Sequence, residues 1–158
     1  MALLQDPDSF GFLIADVSRL MRAEFDRRIG EAGIGVTPGE ARALSNAFRA
    51  GVVRQTVLAE RMGVEAMTLS TYLDRLEARG LVQRQPDPTD RRAKLIHLTD
   101  EAHVVLEKIQ IIGASVRVDV ATRISPSEWE QLNSALRHAR DSLNQLRLEA
   151  NKRESDAA

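Results

Sequence analysis

Apolar residues along this chain keep a helical rhythm, lose it once near the middle, and resume it. From Phe10 they fall at 10, 13, 14, 17, 20, 21, 25 and 29, the spacing of one face of an α-helix. Asp8 or Ser9 stands where an N-cap is needed, and the stretch from Gly30 to Gly35 predicts its end. Thr37-Pro38-Gly39-Glu40 reads as a capping box with proline at the first helical position, opening a second helix to about Arg49. Gly51-Val52-Val53 reads as a minimal strand, followed by helices over about Gln55 to Met62 and Ala66 to Arg79, the latter closed by Gly80. After the break, Thr99 caps a long helix to about Arg123, with Asp100 and Glu101 at its positive end. Ser125-Pro126-Ser127-Glu128 repeats the capping-box pattern and opens a last helix with an apolar face of Trp129, Leu132, Leu136, Ala139, Leu143 and Leu146. The polar tail from Asn151 is expected to fray.

The break in rhythm carries the most information. In Leu58 to Leu73, apolar residues at 58, 62, 64, 69 and 72/73 surround a small Ala59 and a Gly63, the pattern of two short helices meeting at a tight turn. Ala59 permits close approach of the second helix, and Gly63 supplies a positive φ. Leu81 to Thr99 then reads as a strand, a charged turn (Asp87-Pro88-Thr89-Asp90-Arg91-Arg92) and a returning strand from Lys94 to Leu98. The expected fold is mainly α with a small β-hairpin wing: a winged helix-turn-helix flanked by dimerisation helices. One domain spans residues 1–158, with dimerisation helices at 8–35 and 100–150 and a DNA-binding lobe at 37–99.

Charge sharpens this picture. The chain is nearly neutral at −1, which argues against a nonspecific basic DNA coat. From Arg49 to Leu95, however, nine Lys/Arg stand against six Asp/Glu, a local surplus of +3 on an acidic remainder. In a helix-turn-helix the second helix enters the major groove. Its outward positions here are Ala66, Met67, Thr68, Ser70, Thr71 and Arg75, between core positions Leu69, Tyr72/Leu73 and Leu76. Thr68, Ser70 and Thr71 offer hydroxyls to bases or phosphates, Met67 an apolar contact to a thymine methyl, and Arg75 reach to a guanine or a phosphate. Arg91 and Arg92 stand at a proline-stiffened wing tip, from which a guanidinium can enter an A·T-rich minor groove. Asp90, repelled by phosphate, is expected to pair with an arginine and orient it.

These residues resemble the MarR family of bacterial winged-helix transcription regulators. Its wing signature, Asp-x-Arg and then Leu-Thr after five intervening residues, is present as Asp90-Arg91-Arg92 through Leu98-Thr99, and Leu73 to Val82 is similar to the family's recognition-helix exit. The likeness extends to the layout of one long helix before the head and two after it, over about residues 8–150. It implies a triangular homodimer on a pseudo-palindromic operator, with Arg92 in the minor groove and Asp90 positioning it. It also implies control by a small aromatic or anionic effector. Two positions depart from the family: Thr71 stands where many members carry a basic residue, and Arg54 where a Ser or Thr often caps the third helix.

Other chemistries find little support. Zero cysteines exclude disulfides and thiolate sites. His97, His103 and His138 lack ligand spacing, and neither a glycine-rich phosphate loop nor a Gly-x-Ser-x-Gly turn is present, so no enzyme, metal or cofactor is expected. Neither a leader pattern nor an apolar run long enough to span a bilayer is seen, which predicts a cytoplasmic protein with no membrane partner. The end helices carry more apolar face than one small core needs, so Phe10, Leu13, Trp129, Leu132, Leu136 and Leu143 are expected at a dimer interface. Phe12, Asp16 and Arg19 are candidate borders of an effector cleft. Gly113, costing about 1 kcal/mol relative to Ala inside a helix, marks a bend or a close crossing. The competing function is a dimeric ligand-binding or interaction module that keeps the fold without specific DNA binding; the retained tip arginines favour the regulator.

Overall fold

The structure, a computed structural model, describes residues 8–156. Helix α1 spans Phe10–Ala32; Ser9 holds its N-cap position, but the hydroxyl makes no capping bond. Helix α2 (Pro38–Ala50) starts on the expected capping box: the Thr37 hydroxyl accepts the Glu40 N–H at 3.3 Å, and the Glu40 carboxylate accepts the Thr37 N–H at 2.9 Å. Strand β1 is Val53–Arg54, helix α3 Gln55–Met62 and helix α4 Ala66–Ala78. Gly63 joins α3 to α4 at φ 63°, the left-handed conformation that reverses the chain without a Cβ clash. Strands β2 (Val82–Pro86) and β3 (Lys94–Leu98) form the wing, and helices α5 (Asp100–Ala121) and α6 (Pro126–Asp156) follow. Thr99 caps α5 by accepting the Ala102 N–H, while its hydroxyl donates to the Gly80 carbonyl at 2.7 Å. Ser125 and Glu128 form the reciprocal pair at the start of α6.

The sheet is antiparallel in the order β1-β3-β2, so β3 is central. Two boundaries differ from the sequence reading. The short strand lies at Val53–Arg54 rather than at residues 51–53, because only those two residues pair with Ile96 and Leu95 while Gly51 turns the chain at φ 69°. The last helix does not fray at Asn151 but continues to Asp156. Its final turns, rich in Arg, Glu, Lys and Ala, are strong helix formers even without burial. Helix α5 passes through Gly113 without interruption.

Two compact units divide the chain between Val116 and Arg117. The first contains the core: Leu44 of α2, Leu58 of α3, Leu69, Leu73 and Leu76 of α4, Ile96 of β3 and Leu106 and Ile109 of α5 are almost inaccessible. Each such side chain contributes about 1.5–3 kcal/mol by leaving water. Three of the eight lie on α4, so the same burial that stabilises the lobe fixes the rotation of that helix. In the second unit, no described side chain of α6 is buried.

Helices α2 and α4 approach each other closely at Gly39. A Cβ built on Gly39 would lie 2.4 Å from Cζ of Tyr72, so the tyrosine ring occupies the space that any other residue would fill. Gly39→Ala should gain about 1 kcal/mol of helix propensity but lose about 1–3 kcal/mol to overpacking, lowering the melting temperature. In a Tyr72→Leu background, where the shorter side chain leaves room, the same substitution should raise it. A rise in both backgrounds would contradict the tight contact.

Candidate nucleic-acid interface

Helix α4 turns its leucines inward and thereby turns a short-chained face outward. Met67, Thr68, Thr71 and Arg75 are exposed, Met67 by 78%. Ser70 departs from the expected outward position: one residue beyond Leu69, it is half-buried. The Thr71 hydroxyl already donates to the Met67 carbonyl at 3.1 Å, which leaves it acceptor capacity only. Arg75 leans toward α2, with Nη1 3.8 Å from Oε1 of the buried Glu40. The carboxylate that closes the α2 capping box therefore faces a cation of α4.

The wing turn is built from two successive reversals. The Asp90 N–H bonds to the Asp87 carbonyl at 3.3 Å, and the Ala93 N–H to the Asp90 carbonyl at 2.9 Å. Asp87 N–H to the Ala93 carbonyl at 3.1 Å closes the loop at its root. Pro88 occupies the position where its fixed φ favours the first turn. Arg91 and Arg92 are the two central residues of the second, and both are exposed with no side-chain partner among the described residues. Asp90 makes no ion pair with an arginine side chain among the described residues: its carboxylate instead accepts the backbone N–H of Arg92 at 3.0 Å. A short acidic side chain bonding two residues ahead shapes the turn and leaves the guanidinium unengaged.

Sequence reasoning missed how much of the head's positive charge is held internally. Arg54 donates through Nε to Asp87 at 2.6 Å and through Nη2 to the Thr89 hydroxyl at 3.1 Å. Asp87, buried at the wing root, also accepts the Thr89 N–H at 2.8 Å and the Thr89 hydroxyl at 2.7 Å. Arg84 of β2 bonds Glu77 at 2.7 Å and Asp74 at 2.5 Å, clamping the wing strand to the end of α4. The Arg84 guanidinium beside Glu77 holds that carboxyl below its ordinary range. Arg79 donates to the Gly35 carbonyl. The signal for the Asp87 site was present as Asp-Pro-Thr, a turn signature with a side-chain acceptor two residues before a donor.

Between the wing and the starts of α3 and α4 lies a cleft of about 190 Å³, lined by Gln55, Thr56, Ala66, Arg92, Ala93 and Lys94. Arg92 and Lys94 make its wing side positive.

The remaining candidates are distributed along the end helices. On α1, Phe10, Phe12 and Leu13 are exposed, and Arg19 pairs with Asp16 at 3.0 Å across one exposed helical turn. Arg19 also lines a shallow groove of about 440 Å³ with Ala15, Ser18, Arg22, Ala23 and Asp26, all from α1. On α6, Leu132, Leu136 and Leu143 are exposed and Trp129 is half-buried. His97 lies on β3 and His138 on α6, while His103 of α5 meets the edge of Phe48 at 6.1 Å between ring centroids. Among the described residues no group of three His, Cys, Asp or Glu is arranged to hold a metal, and no helix is long and apolar enough to cross a membrane.

A model of the MarR family matches residues 36–94. Among solved structures, the chain is 40% identical to the transcriptional regulator PA3341, covering 86% of this chain and 98% of that one at a TM-score of 0.69. A probable transcriptional regulator from Pseudomonas aeruginosa is 28% identical, with 84% and 97% coverage and a TM-score of 0.63. Wild-type MarR from E. coli, at 22% identity, 85% and 98% coverage and a TM-score of 0.71, shares the fold.

The Thr89 hydroxyl and N–H, with Arg54 behind them, lower the Asp87 pKa from 3.8 to about 2. A depressed carboxyl stabilises the wing fully above the unfolded value and loses that contribution as pH falls through the folded one. At about pH 3, where a free aspartate is mostly protonated, the carboxyl ¹³C shift of Asp87 should still be that of the ion. Thr89→Val should bring its titration back toward the ordinary range; a wild-type midpoint near 3.8 would show that the bonds are absent in solution.

Proposed function

The chain belongs to the MarR family of transcriptional regulators, and from that premise we propose that it acts as a homodimer reading a pseudo-palindromic operator, with α4 in the major groove and the wing arginines in the flanking minor groove. The observation that carries this reading is the wing turn, which leaves Arg91 and Arg92 without a side-chain partner among the described residues, beside the exposed face of α4. Lys94, Gln55 and Thr56 line the cleft between these two elements and would meet the intervening sugar-phosphate strand. Phosphate contacts set register, whereas Met67, Thr68 and Arg75 face base edges.

The end helices support the two-fold arrangement. Phe10, Leu13, Ile14, Val17 and Leu20 leave the first half of α1 apolar and exposed, as do Leu132, Leu136, Leu143 and Leu146 along α6. A second copy would cover both faces and set two reading heads about one helical turn of DNA apart. In this reading the protein is a cytoplasmic repressor that blocks its operator, and a small aromatic or anionic ligand releases it. Such a ligand acts by binding one spacing of the heads better than the other, and shifts operator affinity by that difference alone.

The test begins with a duplex recovered from a random pool by in vitro selection, titrated by fluorescence anisotropy at two salt concentrations. Tight binding that weakens with salt is expected. Arg92→Ala should weaken it about 10- to 100-fold, equivalent to roughly 1–3 kcal/mol, with the oligomer and its melting temperature unchanged. Recovery of no sequence from the pool, or an unchanged affinity for Arg92→Ala, would count against this reading. Leu136→Glu with Leu143→Glu should halve the mass in sedimentation and remove tight binding; an unchanged mass would locate the interface elsewhere.

A further inference from the structure

We propose that Arg54, Asp87 and Thr89 form a clasp that positions the wing, making Arg54 a positioning residue for minor-groove reading that acts through Arg92. The inference rests on the DNA-binding reading above and assigns a role to three residues outside the groove-contacting set.

The wing turn has little else to hold it. Strand β1 is two residues long and pairs with β3 only at Ile96 and Leu95, so the sheet ladder on that side stops before the turn begins. On the other side, β2 and β3 pair as far as Pro86 and Lys94. Residues 87–93 therefore project beyond the three-stranded part of the sheet. Among the described residues, the only hydrogen bonds or ion pairs joining this turn to a residue outside the hairpin are the two made by Arg54.

The Arg54–Asp87 bond differs in kind from surface pairing. Asp87 is buried and accepts three donors within 2.6 to 2.8 Å, one from Arg54 and two from Thr89. The Thr89 hydroxyl donates to Asp87 and accepts from Arg54, so the guanidinium, carboxylate and hydroxyl close a ring. Short bonds between ionised groups are the stronger kind, and the planar fork of arginine reaches both acceptors at once. Arg54 is itself fixed, being the last residue of β1 and the N-cap position of α3. The ring thus ties the wing root to the helix-turn-helix frame, and it lies three to five residues before Arg92. This also accounts for an arginine at a helix start where a Ser or Thr would cap: its side chain serves the wing instead.

A double-mutant cycle on the selected duplex separates action through Arg92 from direct contact with DNA. The variants are Arg54→Gln, Arg92→Ala and the pair, with Arg54→Lys and Thr89→Val alongside. Arg54→Gln should weaken binding about 5- to 20-fold in the wild type and less than about 2-fold once Arg92 is alanine. Sites reselected with Arg54→Gln should lose their flanking A·T preference and keep their central bases. Arg54→Lys, which can pair with Asp87 but not span to Thr89, should fall between. Thr89→Val, which leaves every cation in place, should reproduce part of the loss. Equal losses from Arg54→Gln in both backgrounds, or none in the wild type, would overturn the clasp while leaving the DNA-binding reading intact. A neutral Arg92→Ala would overturn both. A uniform loss at central and flanking bases together with a large fall in melting temperature would mark Arg54 as structural and overturn the proposal.

Discussion

The close approach of α4 to α2 governs what this molecule can present. Tyr72 lies over Gly39, and Leu69, Leu73 and Leu76 are sealed in the core, so α4 can neither roll nor withdraw without opening the lobe. A side chain at Gly39 would displace the ring. The inward face is thus a packing constraint, and the outward face is what remains: short, polar side chains with one thioether and one arginine. Dense interiors transmit such constraints because they have little room to relax. The stability of the lobe and the orientation of α4 are consequences of the same contacts.

Electrostatics are organised on a different principle. Local positive charge does not measure the surface available to a polyanion. Arg54, Arg79 and Arg84 are committed to protein acceptors, and Arg75 faces Glu40. Arg91, Arg92 and Lys94 remain as unpartnered cations of the wing among the described residues. Acidic residues of the head therefore shape it as much as the basic ones do. Asp87 and Asp90 bend the wing turn, and Asp74 and Glu77 hold its strand. Near-neutrality overall is compatible with a focused positive tip.

Local rules made most of the fold legible. The capping boxes at Thr37 and Ser125, the reversal at Gly63 and the turn chemistry after Pro86 each depend on residues a few positions apart, and each stands where the sequence indicates. Legibility fell wherever the partner lies far along the chain. Arg54 reads as a poor helix cap until Asp87, 33 residues later, is beside it. Asp90 was expected to pair with an arginine side chain, and the sequence could not reveal that the backbone amide of Arg92 is its partner. Ser70 looks outward by position and is half-covered in the lobe. The β1 boundary shifted because strand ends are set by the partner strand. The tail of α6 stayed helical because polar composition and helix propensity are separate properties.

Helix α6 has 31 residues and not one described side chain buried. At 1.5 Å per residue it is a rod of about 46 Å, held by its own backbone bonds and by pairs such as Gln145 with Glu149. Pairs of that kind contribute only a few tenths of a kcal/mol each. Helices in water draw most of their stability from a packed face, and the leucines along this one offer such a face to whatever covers it. With a second copy as the cover, order in this segment becomes a matter of mass action. The amount of chain present would then govern the rigidity of the second unit and its resistance to proteolysis, so expression level itself would become a structural variable.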